Sequence, residues 1–161
     1  MVLIRPTYLI NGDVTDIDLQ LLRQDGVRGL IFDLDSTLMV PHSGKLSPEV
    51  AAWLKVAREN FQVAIVSNNK RLTYIEEVKE LLQMDTIGKA AKPRRWAFFK
   101  VLESFGLQAH EVAVIGDRPL TDVLGGLRAG MKTVLVWPLK TQVEPSWVTM
   151  MRKLERCVIR S

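Results

Sequence analysis

Hydrophobic positions along the chain follow two rhythms. Short unbroken apolar runs at Leu30-Ile31-Phe32, Val63 to Val66, Val112 to Ile115 and Thr133 to Trp137 read as buried strands. Between them, apolar residues recur every three or four positions, as amphipathic helices require. These stripes are Leu19, Leu21 and Leu22, then Val50, Leu54 and Ala57, then Ile75, Val78 and Leu82, then Phe98, Val101, Leu102 and Phe105, and last Val123 to Ala129. Ser47 with Pro48 is an N-cap and first helical residue, whereas Thr15 or Asp16 is the expected cap of the first helix. Gly26, Gly106 and Gly130 mark helix ends. A short strand is expected within Thr86 to Ala91, and because Pro93 discourages helix at Lys92, the following helix starts near Arg94. The opening segment with Pro6, Tyr8 and Ile10 reads as an irregular adaptor packed on the sheet.

Strands alternating with helices predict an α/β fold, a doubly wound parallel sheet with helices on both faces. Ligands bind such sheets at the carboxyl ends of the strands. The 161 residues, 47% of them hydrophobic, suit a single domain over 1–161. No apolar run approaches the roughly 18 residues of a membrane span, and no signal-peptide pattern opens the chain. A cytoplasmic protein, in places peripheral at a membrane, is the expectation. Cys157 is alone, and with His42 and His110 as the only histidines, a zinc site is a poor fit. A bound metal should be oxygen-liganded.

The first strand ends in Asp33 and Asp35. Carboxylates at the mouth of a buried strand pay for desolvation and mutual repulsion unless a cation or donors compensate. Two on one side of an extended chain can divide a reaction, one attacking an electrophile and one moving a proton. The plainer reading is an Asx turn with Asp35 and Ser36 capping backbone donors. Other strand ends decide between them. Ser67-Asn68-Asn69 closes the second strand, Lys92 follows the third, and Gly116-Asp117-Arg118-Pro119-Leu120-Thr121-Asp122 follows the fourth. Four polar strand ends on one sheet edge are hard to ascribe to turns alone.

In this order, Asp-Leu-Asp-Ser-Thr, Ser-Asn-Asn, Lys-Pro and Gly-Asp-x-x-x-x-Asp resemble the haloacid dehalogenase superfamily of phosphohydrolases over roughly residues 27 to 138. The resemblance implies a Rossmann-like core. It implies Asp33 as phosphoryl-accepting nucleophile, and Asp35 as general acid and then base. It implies Ser67 and the Asn68 amide as phosphate holders, and Lys92 as neutraliser of the transferring charge. Mg²⁺ would be held by Asp33, the Asp35 carbonyl and Asp117, with Asp122 orienting that shell. The chemistry asks for these types independently, since a carboxylate can approach a phosphate dianion only beside concentrated positive charge. Aspartate at position 35 favours phosphoryl transfer over dehalogenation.

Neither Asp35–Ser67 nor Ser67–Lys92 leaves room for the cap domain that many members insert, so no cap is expected. The run Gly116 to Gly126, with Trp137-Pro138-Leu139-Lys140, resembles the capless branch that includes phosphatidylglycerophosphate phosphatases. That branch implies a phospholipid head-group monoester at an anionic membrane surface. Charge changes the picture in the same direction. Residues 1–88 carry 9 Lys and Arg against 12 Asp and Glu, and residues 89–161 carry 13 against 6, giving −3 and +7. Each basic residue near an anionic leaflet contributes roughly 1 kcal/mol. The tail, apolar at Trp147, Met150, Met151, Leu154 and Val158 and basic at Arg152, Lys153, Arg156 and Arg160, reads as a terminal helix packed on the domain or lying on a membrane. Alternatives are a phosphatase of soluble sugar phosphates, one of nucleic-acid 3′-phosphates, ranked lower for want of a nucleic-acid module, and a phosphorylatable receiver-like module. His42 reads as an exposed loop residue, and Arg118 as a second phosphate ligand or an ion-pair partner. Gly125 and Gly126 form no dinucleotide fingerprint.

Overall fold

The computed structural model describes residues 3–140 and 142–160. Its organising feature is a six-stranded, all-parallel sheet in the order β1-β6-β5-β2-β3-β4. The strands are β1 (Tyr8–Leu9), β2 (Gly29–Phe32), β3 (Gln62–Val66), β4 (Asp85–Ile87), β5 (Val112–Gly116) and β6 (Lys132–Leu135). The helices are α1 (Leu19–Gln24), α2 (Pro48–Asn60), α3 (Leu72–Leu82), α4 (Trp96–Phe105), α5 (Leu124–Arg128) and α6 (Ser146–Arg156). No separate cap domain interrupts this sequence of elements.

Because side chains alternate along a strand, each apolar run feeds two cores. Leu30, Phe32, Ile65 and Ile115 face one way and bury Val50, Leu54 and Ala57 of α2 with Ile75, Val78 and Leu82 of α3. Ile31, Ala64, Val66 and Val114 face the other way onto Ala97, Phe98 and Val101 of α4. Every residue of β2 and β5 is buried, which is why these two strands show as unbroken apolar runs. Gly126 lets α5 lie against the sheet, since a Cβ there would stand 2.7 Å from Thr133 and 3.1 Å from Val114.

Most local signals hold. Ser47 caps α2, its hydroxyl accepting from the Val50 amide at 3.2 Å, with Pro48 in the first turn. Gly106 ends α4 in the left-handed region. Two expectations need correcting. Thr15 and Asp16 do not cap α1: Asp18 does, its carboxylate accepting from the Gln20 and Leu21 amides, while Asp13 caps a separate 3₁₀ turn at Val14–Asp16. The opening segment is not wholly irregular, because Tyr8–Leu9 pairs with β6 at the sheet edge. The tail forms a helix that contacts the domain, with its apolar stripe outward: Trp147, Met150, Met151 and Leu154 are exposed, and α6 meets the domain through Arg152, Glu155 and Arg156. Among the described residues no helix is long and apolar enough to cross a membrane.

From β2 the chain winds outward to β3 and β4, then crosses back to β5 and β6 on the other side. The topological switch therefore lies between β2 and β5, and their carboxyl ends deliver Asp33 and Asp117 to the same crevice.

Candidate active site

The crevice is built from strand ends. Asp33 follows β2 directly, held in sheet register by its amide donating to the Ile115 carbonyl at 2.9 Å. The chain then turns sharply: Ser36 adopts φ 72°, in the left-handed region, and its amide donates to the Met39 carbonyl at 2.7 Å. Backbone in that region is sparsely populated by residues other than glycine, and such strain concentrates at functional sites. The turn sends the Asp35 carboxylate toward α3, where it accepts from Asn69 Nδ2 at 3.0 Å and Tyr74 Oη at 3.3 Å. Burial and the Asp35 charge push the Tyr74 phenol up to about 12, so at neutral pH it is a donor to Asp35.

After β3, Ser67 is buried and its hydroxyl accepts from the Asn69 amide at 3.0 Å. Asn68 is clamped to the segment before α4, its Oδ1 accepting from the Lys92 amide at 2.7 Å and its Nδ2 donating to the Lys92 carbonyl at 3.2 Å. That clamp aims the Lys92 side chain inward. Lys92 Nζ donates to Asp33 Oδ1 at 2.8 Å and Asp122 Oδ1 at 2.6 Å. Burial works against the ammonium, but the Asp122 and Asp33 charges outweigh it and push Lys92 up to about 12.

Asp117 and Asp122 come from β5 and the π-type turn Pro119–Val123 behind it. Asp117 is buried, its Oδ1 accepting from the Thr37 hydroxyl at 3.1 Å. Asp122 folds back over Gly116, where an added Cβ would lie 2.2 Å from Asp122 Oδ2; only glycine lets the carboxylate close against the strand. Burial and the Asp33 charge push Asp122 up to about 6, against the pull of Lys92. Two carboxylates share one ammonium there. The resulting cavity, about 270 Å³, is lined among others by Asp33, Asp35, Ser67, Lys92, Arg118 and Arg152. A larger hollow of about 520 Å³ lies elsewhere, between Leu19, Arg23, Val56 and Asn60, and holds no comparable cluster.

A family model described as Mitochondrial PGP phosphatase matches residues 2–89, more than half of the chain, and one described as HAD-hydrolase-like matches residues 89–144. The chain belongs to the haloacid dehalogenase (HAD) superfamily of phosphatases. Relatives of this HAD phosphatase include the protein named Probable phosphatase YqeG of Bacillus subtilis, 38% identical over 73% of this chain and 69% of that protein. Phosphatidylglycerophosphate phosphatase 1 of Arabidopsis thaliana is 32% identical over 92% of this chain and 45% of its own length. The Chlamydomonas reinhardtii protein of that name is 32% identical over 92% of this chain and 58% of its own. The chain thus spans about half the length of these two phosphatases. Among solved structures, an uncharacterized protein from Listeria monocytogenes serotype 4b shares the fold, with TM-score 0.57, 22% identity, and coverage of 74% of this chain and 85% of that one.

HAD phosphatases typically use Mg²⁺, and the residues of this one suit a hard divalent cation. Oxygens of Asp33, Asp117 and Asp122 lie within 4.8 Å of one another. Lys92 and the Arg152 guanidinium on Asp117 Oδ2 leave the three carboxylates with a net formal charge of −1, so the cluster keeps an excess of negative charge. Hard carboxylate oxygens are the ligands Mg²⁺ prefers. The Asp35 side chain stands outside this cluster, on Asn69 and Tyr74.

Several contributors escape sequence reading. Thr37 lies inside the quoted Asp-Leu-Asp-Ser-Thr run, but nothing there pairs it with Asp117, 80 residues on. Tyr74 has the look of a core residue on an amphipathic helix, and its hydroxyl gives no signal of its partner. Arg152 reads as one more tail cation, yet its side chain is only 11% exposed and lies against Asp117 Oδ2 as an ion pair, with Nη2 3.1 Å from Ser36 Oγ. Arg118 takes the ion-pair role, with Glu155 of α6. His42 stands beside Tyr74, ring centroids 5.8 Å apart.

Proposed function

We propose that this HAD phosphatase removes the terminal phosphate of a phospholipid head group, converting phosphatidylglycerophosphate to phosphatidylglycerol at a membrane surface. The observation that carries this reading is the site itself. Its cavity of about 270 Å³ takes a phosphoryl group and part of a head group but no acyl chains, and no cap domain covers it. A substrate whose apolar part stays in a bilayer suits that shape. Support comes from the match to the PGP phosphatase model and from the basic residues 89–161.

In this reading Asp33 attacks the phosphorus, forming a bond from a carboxylate oxygen as the bond to the glycerol oxygen breaks. Lys92, fixed on Asp33 and charged at any physiological pH, lowers the repulsion between carboxylate and phosphate. Ser67 and the Asn68 amide hold non-bridging phosphate oxygens. Asp35 takes the proton of the monoanionic phosphate ester and passes it to the departing glycerol oxygen, then takes one from the water that attacks the phosphorus of the Asp33 aspartyl phosphate. Inorganic phosphate leaves and Asp33 is restored. Mg²⁺, held by Asp33, the Asp35 carbonyl and Asp117 with Asp122 behind them, would supply charge neutralisation to the transferring group. Asn69 and Tyr74 hold the Asp35 carboxylate at the cavity wall.

The test is phosphate release from phosphatidylglycerophosphate in mixed micelles, beside soluble sugar phosphates and 3′-phosphorylated oligonucleotides, with Mg²⁺ or EDTA. Mg²⁺-dependent turnover that favours the lipid is expected. Turnover of only a soluble phosphate would keep the chemistry and discard the lipid.

A further inference from the structure

Helix α6 is inside out. Trp147, Met150, Met151 and Leu154 follow i, i+3, i+4, i+7 spacing and form one stripe, exposed at 65%, 58%, 47% and 59%. The opposite face carries Arg152, Glu155 and Arg156, and these charged residues make the contacts with the domain. Ordinary packing would reverse the two faces, because four large apolar side chains in water forgo stabilisation that the core would give them. The charged face, moreover, is matched to the site. The Arg152 guanidinium lies on Asp117, where a cation belongs, while its Nε and Nη2 atoms are held by Glu144 at 2.9 and 2.8 Å. The Glu155 carboxylate lies on Arg118, a cation lining the cavity. The helix thus presents a positive group to the Asp117 corner and a negative group to Arg118 at the cavity.

We propose that α6 is a membrane-read lid: with its charged face it closes the site, and it opens when its outer stripe enters an anionic bilayer. Arg152 and a divalent cation compete for Asp117 Oδ2, so the closed helix and the loaded metal site exclude each other. By linkage, an anionic surface that favours the open helix tightens metal binding, and the metal strengthens attachment to that surface by the same factor. The outer stripe fits a bilayer better than a second copy of the chain. Lys153 flanks it by helical spacing and Arg160 follows the helix, both exposed, and the C-terminal half has an excess of positive charge that would repel its own kind while attracting anionic lipid. The proposal rests on the reading of a lipid-borne substrate for its physiological sense, but its tests do not use that substrate.

Three measurements decide it. Wild-type protein should co-sediment with phosphatidylglycerol/phosphatidylcholine vesicles and not with phosphatidylcholine alone. The triple variant Trp147→Ser, Met150→Ser, Leu154→Ser should lose about tenfold or more of that partitioning, with its hydrolysis of a water-soluble aryl phosphate at saturating Mg²⁺ unchanged. Arg152→Gln should bind Mg²⁺ about tenfold more tightly by calorimetry, and Mg²⁺ should speed amide hydrogen exchange across residues 146–156 in the wild type. Vesicle binding unaffected by the triple variant, or Mg²⁺ affinity and exchange indifferent to Arg152 and metal, would overturn the lid. So would a concentration-dependent dimer in sedimentation velocity that the triple variant abolishes. Failure to hydrolyse phosphatidylglycerophosphate while these tests succeed discards the substrate and keeps the lid; lipid turnover without vesicle binding does the reverse.

Discussion

At the scale of single residues the two aspartates after β2 differ in what holds them. Asp33 is tied to a cation and Asp35 to two neutral donors. That difference predicts separable defects. Asp33→Asn should reduce phosphate release by about a thousandfold or more while leaving the circular dichroism spectrum unchanged, since an amide can still accept from Lys92 but cannot attack phosphorus. Asp35→Asn should depress alkyl phosphate hydrolysis by roughly 10²-fold and aryl phosphate hydrolysis much less, because a phenolate leaves without a proton. Comparing the two esters in one variant checks the assignment; equal losses would remove Asp35 as the acid. Asp33, Asp35, Ser67 and Asp117 were legible as candidates because each follows closely on a buried apolar run that breaks into polarity, whereas Lys92 lies five residues past β4 and Asp122 six past β5. Tyr74 and Thr37 were not, since each acts through a hydroxyl whose partner lies 39 or 80 residues away and no local pattern encodes that meeting.

At the scale of elements, the end of β5 is the tightest joint. Gly116→Ala should push Asp122 off the strand and with it Lys92, because the new methyl would overlap the carboxylate and not a flexible tip. A fall in activity of about 10²-fold with a modest loss of thermal stability is expected, read from aryl phosphate kinetics beside a melting curve. β2 and β5 were the easiest strands to find, being apolar throughout, whereas β1 was hidden: two residues, half-buried and exposed, paired on one side only. The cap of α1 was misplaced because Asp13, Thr15, Asp16 and Asp18 are all competent caps within six residues. The orientation of α6 could not be read from its periodicity. A helical stripe says which residues share a face, and the partner decides which face docks; here Asp117 and Arg118 recruit the charged one.

For the whole molecule, the balance of buried charge sets how stability responds to metal and pH. Metal-free protein holds Asp33, Asp117 and Asp122 close together, so Mg²⁺ should raise the melting temperature and EDTA lower it, with the gain reduced in Asp117→Asn. Asp122 titrates near 6 when folded against about 3.8 when unfolded. Between those values the folded protein holds more protons, so this group's contribution is present below about 4 and lost as pH rises through 6. In EDTA, the difference in melting temperature between wild type and Asp122→Asn should therefore shift against the wild type across that window. A flat difference would mean that the pull of Lys92 cancels burial and the Asp33 charge.

The crossover between β4 and β5 has a consequence for synthesis. A nascent chain that has passed β4 and reached Lys92 already owns Asp33, Asp35 and Ser67 as well, but β2 is destined to lie between β3 and a strand some 80 residues behind it. Until β5 emerges, β2, apolar throughout, presents an open edge, and Lys92 lacks Asp122. One insertion event then covers the edge and brings in Asp117 and Asp122, so the interval in which the chain is prone to stick to other chains is also the interval in which it cannot act.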